Sequence, residues 1–135
     1  MPEVNGTNIT DKIFNTAISY GYSPEAAAAI AATIVIENAG TELIVFRGER
    51  QKRYLEFCEK NRISSVDPDS KILYFFDELS KNRDYKASEI KYAQTVDDAI
   101  KSFNENYLGK TLNANEFLSI SGIGNEIYTI FVSNL

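Results

Sequence analysis

Residues 24–36 are apolar on every side. Ala26, Ala27, Ala28, Ala29, Ile30, Ala31, Ala32, Ile34, Val35 and Ile36 leave no continuous polar face for water to meet. A helix that is hydrophobic all round is a buried one, so the helix predicted over about 24–38 is the centre of the molecule. Its alanines let neighbouring helices approach its backbone closely. The start is well marked: Ser23 can cap it, and Pro24 suits the first turn, where its missing N–H would be unpaired in any case.

The rest of the chain supplies helices to cover that centre. Residues 1–8, with Pro2, Gly6 and two asparagines, read as a flexible N-terminal arm, and residues 9–135 as one helical domain. Ile9, Ile13, Ala17 and Ile18 recur at helical spacing up to Gly21. After a short apolar stretch at Leu43, Ile44, Val45 and Phe46, a third helix is predicted over about 49–61, burying Tyr54, Leu55 and Cys58. Asp67 caps a fourth, with Pro68 in its first turn and Ile72, Phe75, Phe76 and Leu79 on its inner face. A short helix over about 85–92 precedes one capped by Thr95, whose stripe is Val96, Ala99, Ile100, Phe103 and Tyr107. In the tail, Gly122-Ile123-Gly124 reads as a break between a helical turn at 115–120 and a last helix, or a strand, at 127–132. The expected class is mainly α, with little or no β-sheet.

Composition narrows the chemistry. At 44% hydrophobic and 24% charged, the chain suits a globular domain and not a disordered one. The single cysteine, Cys58, excludes an internal disulfide. With no histidine, the usual zinc sites, the Ser-His-Asp triad and the Cys-His dyad are also excluded. Catalysis would have to run on carboxylates, hydroxyls, lysines or tyrosines, with no cofactor and no metal. The net charge of −5 opposes a nucleic-acid partner, whose phosphates are bound by Lys and Arg. No apolar run approaches the roughly 18 residues of a membrane span, and residues 1–5 do not resemble a signal peptide.

Gly21-Tyr22-Ser23-Pro24-Glu25-Ala26-Ala27-Ala28, the buried helix ending at Glu37-Asn38-Ala39-Gly40, and Glu42-Leu43-Ile44-Val45-Phe46-Arg47-Gly48-Glu49-Arg50 follow one another in this order. Asp67-Pro68-Asp69, Glu78-Leu79, Tyr85 and Asp97-Asp98-Ala99 up to Phe103 come next. The ordered set, covering roughly residues 9–110, resembles the lysozyme domain of phage tail proteins. That family opens on a G-Y/F-S/T-x-x-A-A-A turn and a buried helix ending in E-S-G. It continues with G-L-x-Q-W-x-G-x-R. This chain has Glu42, Val45 and Phe46 where the family has its glycine, glutamine and tryptophan, and a shorter loop before them.

The resemblance implies a lysozyme-like fold, a place in a virion or in the host cytoplasm before assembly, and peptidoglycan or other virion proteins as partners. It makes Glu37 the general acid of glycan cleavage. Helical spacing puts Glu37 on the face of Ile30, Thr33 and Ile34 and in the last turn of its helix; both the apolar surroundings and the helix dipole disfavour a charged carboxylate. A solvated glutamate at a frayed helix end is the plain alternative. Arg50 stands where the family has its arginine, which implies a structural clamp beside the site. Glu42, Phe46, Arg50, Tyr22 and Tyr85 are the candidate substrate contacts, and Glu42 and Glu49 the nearest carboxylates for a second catalytic role. The same residues leave a second function open: a non-catalytic virion protein that reuses the scaffold for protein–protein contacts. A small cytoplasmic regulatory protein is a third.

Other signals weigh less. Arg47, Arg50, Lys52 and Arg53 oppose the dipole at the start of their helix, so a partner is expected: an acidic contact such as Glu37 or Glu42, or an anionic wall polymer or nucleic acid. Internal ion pairs or a solvated face are the plain alternative. Asp67-Pro68-Asp69-Ser70-Lys71-Ile72 fails as a calcium loop at Lys71 and Ile72.

Overall fold

The computed structural model describes residues 3–37 and 46–133, leaving aside the side chain of Glu37, and among these the fold is mainly α, with no strand. The helices are α1 (Ile9–Ser19), α2 (Pro24–Glu37), α3 (Glu49–Asn61), α4 (Pro68–Lys81), α5 (Ala87–Lys91), α6 (Val96–Asn106) and α7 (Ala114–Val132). Helix α2 lies at the centre, with α1, α6 and α7 against it; α4 packs on α1, and α3 packs chiefly on α4. Every residue from 26 to 33 is fully buried. The one hydroxyl among them, on Thr33, donates to the Ala29 carbonyl at 2.8 Å, so no polar group in that run is left for water.

The helix starts follow the capping residues. Asn8, Asp67 and Thr95 accept backbone N–H groups in the first turns of α1, α4 and α6. Ser23 Oγ accepts from Ala26 N at 3.1 Å and donates to the Ala93 carbonyl at 2.8 Å. The cap of α2 therefore also ties it to the link between α5 and α6. Gly21, at φ +88, makes the turn between α1 and α2 in a backbone region that side chains disfavour.

Several sequence expectations change here. Gly122-Ile123-Gly124 is not a break: α7 runs unbroken through both glycines, opened by a capping box between Asn113 and Glu116. Gly124 explains this. A Cβ there would lie 2.9 Å from Val96 Cγ1 and 3.6 Å from both Ala32 Cβ and Ile100 Cδ1, so the glycine allows α7 to close on α2 and α6. Leu55, expected inside, is 46% exposed, while Tyr54 and Cys58 are buried as expected. The helix expected over about 85–92 is divided into a one-turn 3-10 helix (Arg83–Tyr85) and α5, with Lys86 left-handed between them. Within the segment expected to be a loose arm, Val4 packs on the core and the Asn5 carbonyl accepts from Asn15.

Candidate functional site

A second, smaller core lies apart from the main one. Phe46, Tyr54, Cys58 and Tyr74 are its buried members, with Phe57 and Ile63 packed against them. The Phe46 ring stands 5.0 Å from those of both Tyr54 and Tyr74, edge-on to Tyr74. Such contacts are the preferred geometry for aromatic pairs. The Tyr54 hydroxyl donates to the Ser65 carbonyl at 2.8 Å, closing the α3–α4 corner.

Arg50 roofs this cluster. Its Nε and Nη2 donate to the Glu78 carboxylate at 3.0 and 2.8 Å, a paired arrangement from α3 to α4. Nη2 also donates to the Tyr107 hydroxyl at the end of α6. The guanidinium carbon lies 4.7 Å from the Phe46 ring centre and 5.7 Å from that of Tyr107, close enough for cation–π attraction. Burial works against the charge on Arg50, but the hydrogen bond and charge of Glu78 and the nearby phenols outweigh it, so its pKa is raised. Tyr107 is raised too, by burial first and despite the Arg50 charge. Tyr85 packs edge-on against Tyr107 at 4.8 Å and is likewise raised by its burial.

Phe46, Arg50 and Tyr85 are three of the five candidate substrate contacts, and the structure links them through Tyr107. It also turns them inward. Phe46 is 8% exposed, and the partner that Arg50 needs is Glu78. Tyr22 belongs elsewhere: it is buried edge-on against Phe76 and bonded to Ser80 at 3.1 Å. Its pKa is raised by burial and eased back by that bond. Glu37 is the last residue of α2; its side chain, and Glu42 altogether, lie outside the described residues. Glu49 is in the first turn of α3.

Glu78 and Tyr107 are the site residues that sequence reading did not single out. The signal was present: a cation at a helix start calls for a carboxylate, and Glu78 follows Tyr74 by one helical turn on the face beside the aromatic cluster.

Between α3 and α4 lies an open groove of about 430 Å³. Phe57 and Tyr74 line it beneath Arg53, Lys60, Asp77 and Glu78, giving apolar surface flanked by charges of both signs. Among the described residues no group of three or more acidic or cysteine side chains is placed to hold a metal ion, and no helix is long and apolar enough to cross a membrane. No protein-family model, no curated protein and no solved structure matches this chain.

Proposed function

We propose that this chain is a lysozyme-like domain of a phage particle that cleaves the glycan strands of peptidoglycan, with Glu37 as general acid. The observation that carries the reading is the place of Glu37 in the fold. It ends α2, the helix whose residues 26–33 are all fully buried. A carboxyl group there stands at the negative end of the helix dipole, which favours its protonated form. A glycosidic general acid must hold its proton near neutral pH. Phe46, the first described residue after Glu37, is gripped by Tyr54, Tyr74 and Arg50. Both ends of the intervening chain thus attach to firmly packed elements, as a positioned acid requires. The α3–α4 groove, with aromatic surface between charged groups, offers sugar rings both apolar faces and hydrogen-bond partners.

A second reading is favoured by a different observation. Tyr22 and Phe46 are core residues and Arg50 is already engaged by Glu78, so three of the proposed substrate contacts serve the scaffold. On this reading the chain is a non-catalytic virion protein that uses its surface for assembly.

Digestion of purified peptidoglycan, with products separated by mass, distinguishes the two. The reading above expects muropeptide release by the native chain and none by Glu37→Gln, given equal melting temperatures. An anhydro product would identify a lytic transglycosylase. Absence of release by the native chain, across walls from several hosts, would overturn catalysis and leave the assembly reading.

A further inference from the structure

Of the chain's asparagines, only Asn5 is followed by glycine. With no Cβ on the following residue, a backbone nitrogen is able to approach the asparagine side chain closely and close a five-membered ring with it. A larger residue in that place hinders the approach. Asn-Gly is therefore the pair in which an asparagine most readily loses its amide.

The fold leaves both reacting groups free. Residues 3–6 lie outside any helix, and Asn5 and Gly6 are exposed. Among the described residues neither the Asn5 side-chain amide nor the Gly6 N–H makes a hydrogen bond; the bond made here joins the Asn5 carbonyl to Asn15 Nδ2 at 3.0 Å. The contrast with other asparagines is clear. The side chains of Asn8, Asn82 and Asn113 are held as caps, each accepting a backbone N–H, and Asn15 and Asn104 stand inside helices. Nor is Gly6 replaceable. A Cβ there would lie 2.6 Å from Asp11 Cβ and 3.0 Å from Lys12 N, at a φ of +137, so the packing that requires glycine at this position also keeps Asn5 reactive.

The surroundings give the reaction a consequence. Glu3, Val4 and Asn5 line a hollow of about 490 Å³ together with Asp67 and Asp69 at the start of α4. Lys12 is paired with Asp69. A further carboxylate at position 5 would meet like charge there, beside the point where Val4 packs on the core.

We propose that Asn5 is a site of spontaneous deamidation, and that its conversion releases residues 3–5 from the body of the protein. The Gly6 nitrogen gives up its proton and attacks Asn5 Cγ; a C–N bond forms and the side-chain nitrogen leaves as ammonia. One water then opens the succinimide. Cleavage at Cγ yields aspartate. Cleavage at the other carbonyl yields isoaspartate, in which the carbonyl that Asn15 holds becomes a carboxylate and the main chain gains a methylene between Val4 and Gly6. Both products place a negative charge beside Glu3 and Asp67, and the second also displaces Val4 from its seat. The site shares no residue with glycan cleavage and stands or falls separately from that reading.

Incubation of the native full chain in mildly alkaline buffer tests this, with the tryptic peptide Met1–Lys12 followed by mass and by isoaspartate-specific methylation. A gain of about 1 Da at Asn5 is expected, at a rate close to that of the urea-unfolded chain, while the other asparagines keep their amides. As the product accumulates, the ¹⁵N-labelled chain should lose the native resonances of Val4 and of the Asn15 side-chain amide. Asn5→Gln, whose longer side chain would have to close a less favoured six-membered ring, should keep both its mass and its spectrum. Asn5→Asp should show the charge-driven part of the change without incubation. Conversion of the unfolded chain alone would overturn the proposal, because the fold would then be holding Asn5 away from Gly6. No conversion in either state, or conversion that leaves the Val4 and Asn15 resonances in place, would overturn it as well.

Discussion

Removing the Arg50 guanidinium strands the Glu78 carboxylate, which is only 8% exposed. Breaking a buried pair from one side is much more damaging than replacing both partners by apolar groups. Arg50→Met is therefore expected to lower stability by about 2–4 kcal/mol, and adding Glu78→Leu to recover most of that loss. Urea denaturation of the two variants checks this; equal losses would mean that the pair contributes through packing alone. The sequence marks Arg50 as a cation in need of a partner, because it stands at a helix start, but Glu78 lies 28 residues away and no local pattern joins them. Tyr22 and Phe46 are candidate substrate contacts in the sequence because of where they stand in the family-like motifs. Their burial is decided by Phe76, Tyr54 and Tyr74, neighbours that only the folded chain supplies.

At the scale of elements, capping residues and helical periodicity were enough to place α1, α2, α3, α4 and α6, because each is opened or lined by local chemistry. Helix α7 was misread for a physical reason. Glycine lowers helix propensity by about 1 kcal/mol relative to alanine, so two of them in close succession look like an interruption. What overrides propensity is close packing at Gly124, a contact with no trace in local sequence. The two glycines should consequently answer alanine in opposite directions. Gly122 has open space where a Cβ would be, and Gly122→Ala should stabilise by about 0.5–1 kcal/mol. Gly124→Ala gains the same propensity but meets the Cγ1 of Val96 at 2.9 Å; overpacking of about 1–3 kcal/mol should leave it net destabilised. Melting temperatures of the pair decide it, and two variants moving in the same direction would refute the packing account. At the other end of the core, Ser23→Ala should lower stability by about 1–2 kcal/mol, since one hydroxyl both caps α2 and holds the Ala93 carbonyl; a change within thermal-melt error would show that the cap is replaceable.

The whole molecule carries an alkaline limit. Tyr20 is pushed up to about 12, by burial first and then by the charge of Asp77. Tyr22, Tyr54, Tyr85 and Tyr107 are raised in the same direction, burial leading in each case. In the unfolded chain a phenol ionises near about 10. The folded state prefers the neutral form of all five, so their contribution is complete below about pH 10 and is lost as pH climbs through the raised values. The melting temperature should fall by roughly 5 °C or more between about pH 9 and pH 11, followed by far-ultraviolet circular dichroism. A flat profile would mean that these phenols reach water more readily than their packing implies. The class of the fold was legible at this scale because one helix without a polar face forces the others around it. How the helices pair was not, since Ala32, Ile100 and Gly124 come together from three separate helices.

Helix α3 leans chiefly on α4 and has its own small core around Cys58, which is a free thiol and buried. Regions joined to a protein by a limited interface open independently and at lower free energy than the global transition. Cys58 is thus a built-in clock for that motion. A colourless thiol reagent in excess should modify it in a single slow exponential whose rate follows the detachment of α3, while amide hydrogens of α2 stay protected over the same period. Labelling and α2 exchange at one common rate would instead show that the molecule opens only as a whole.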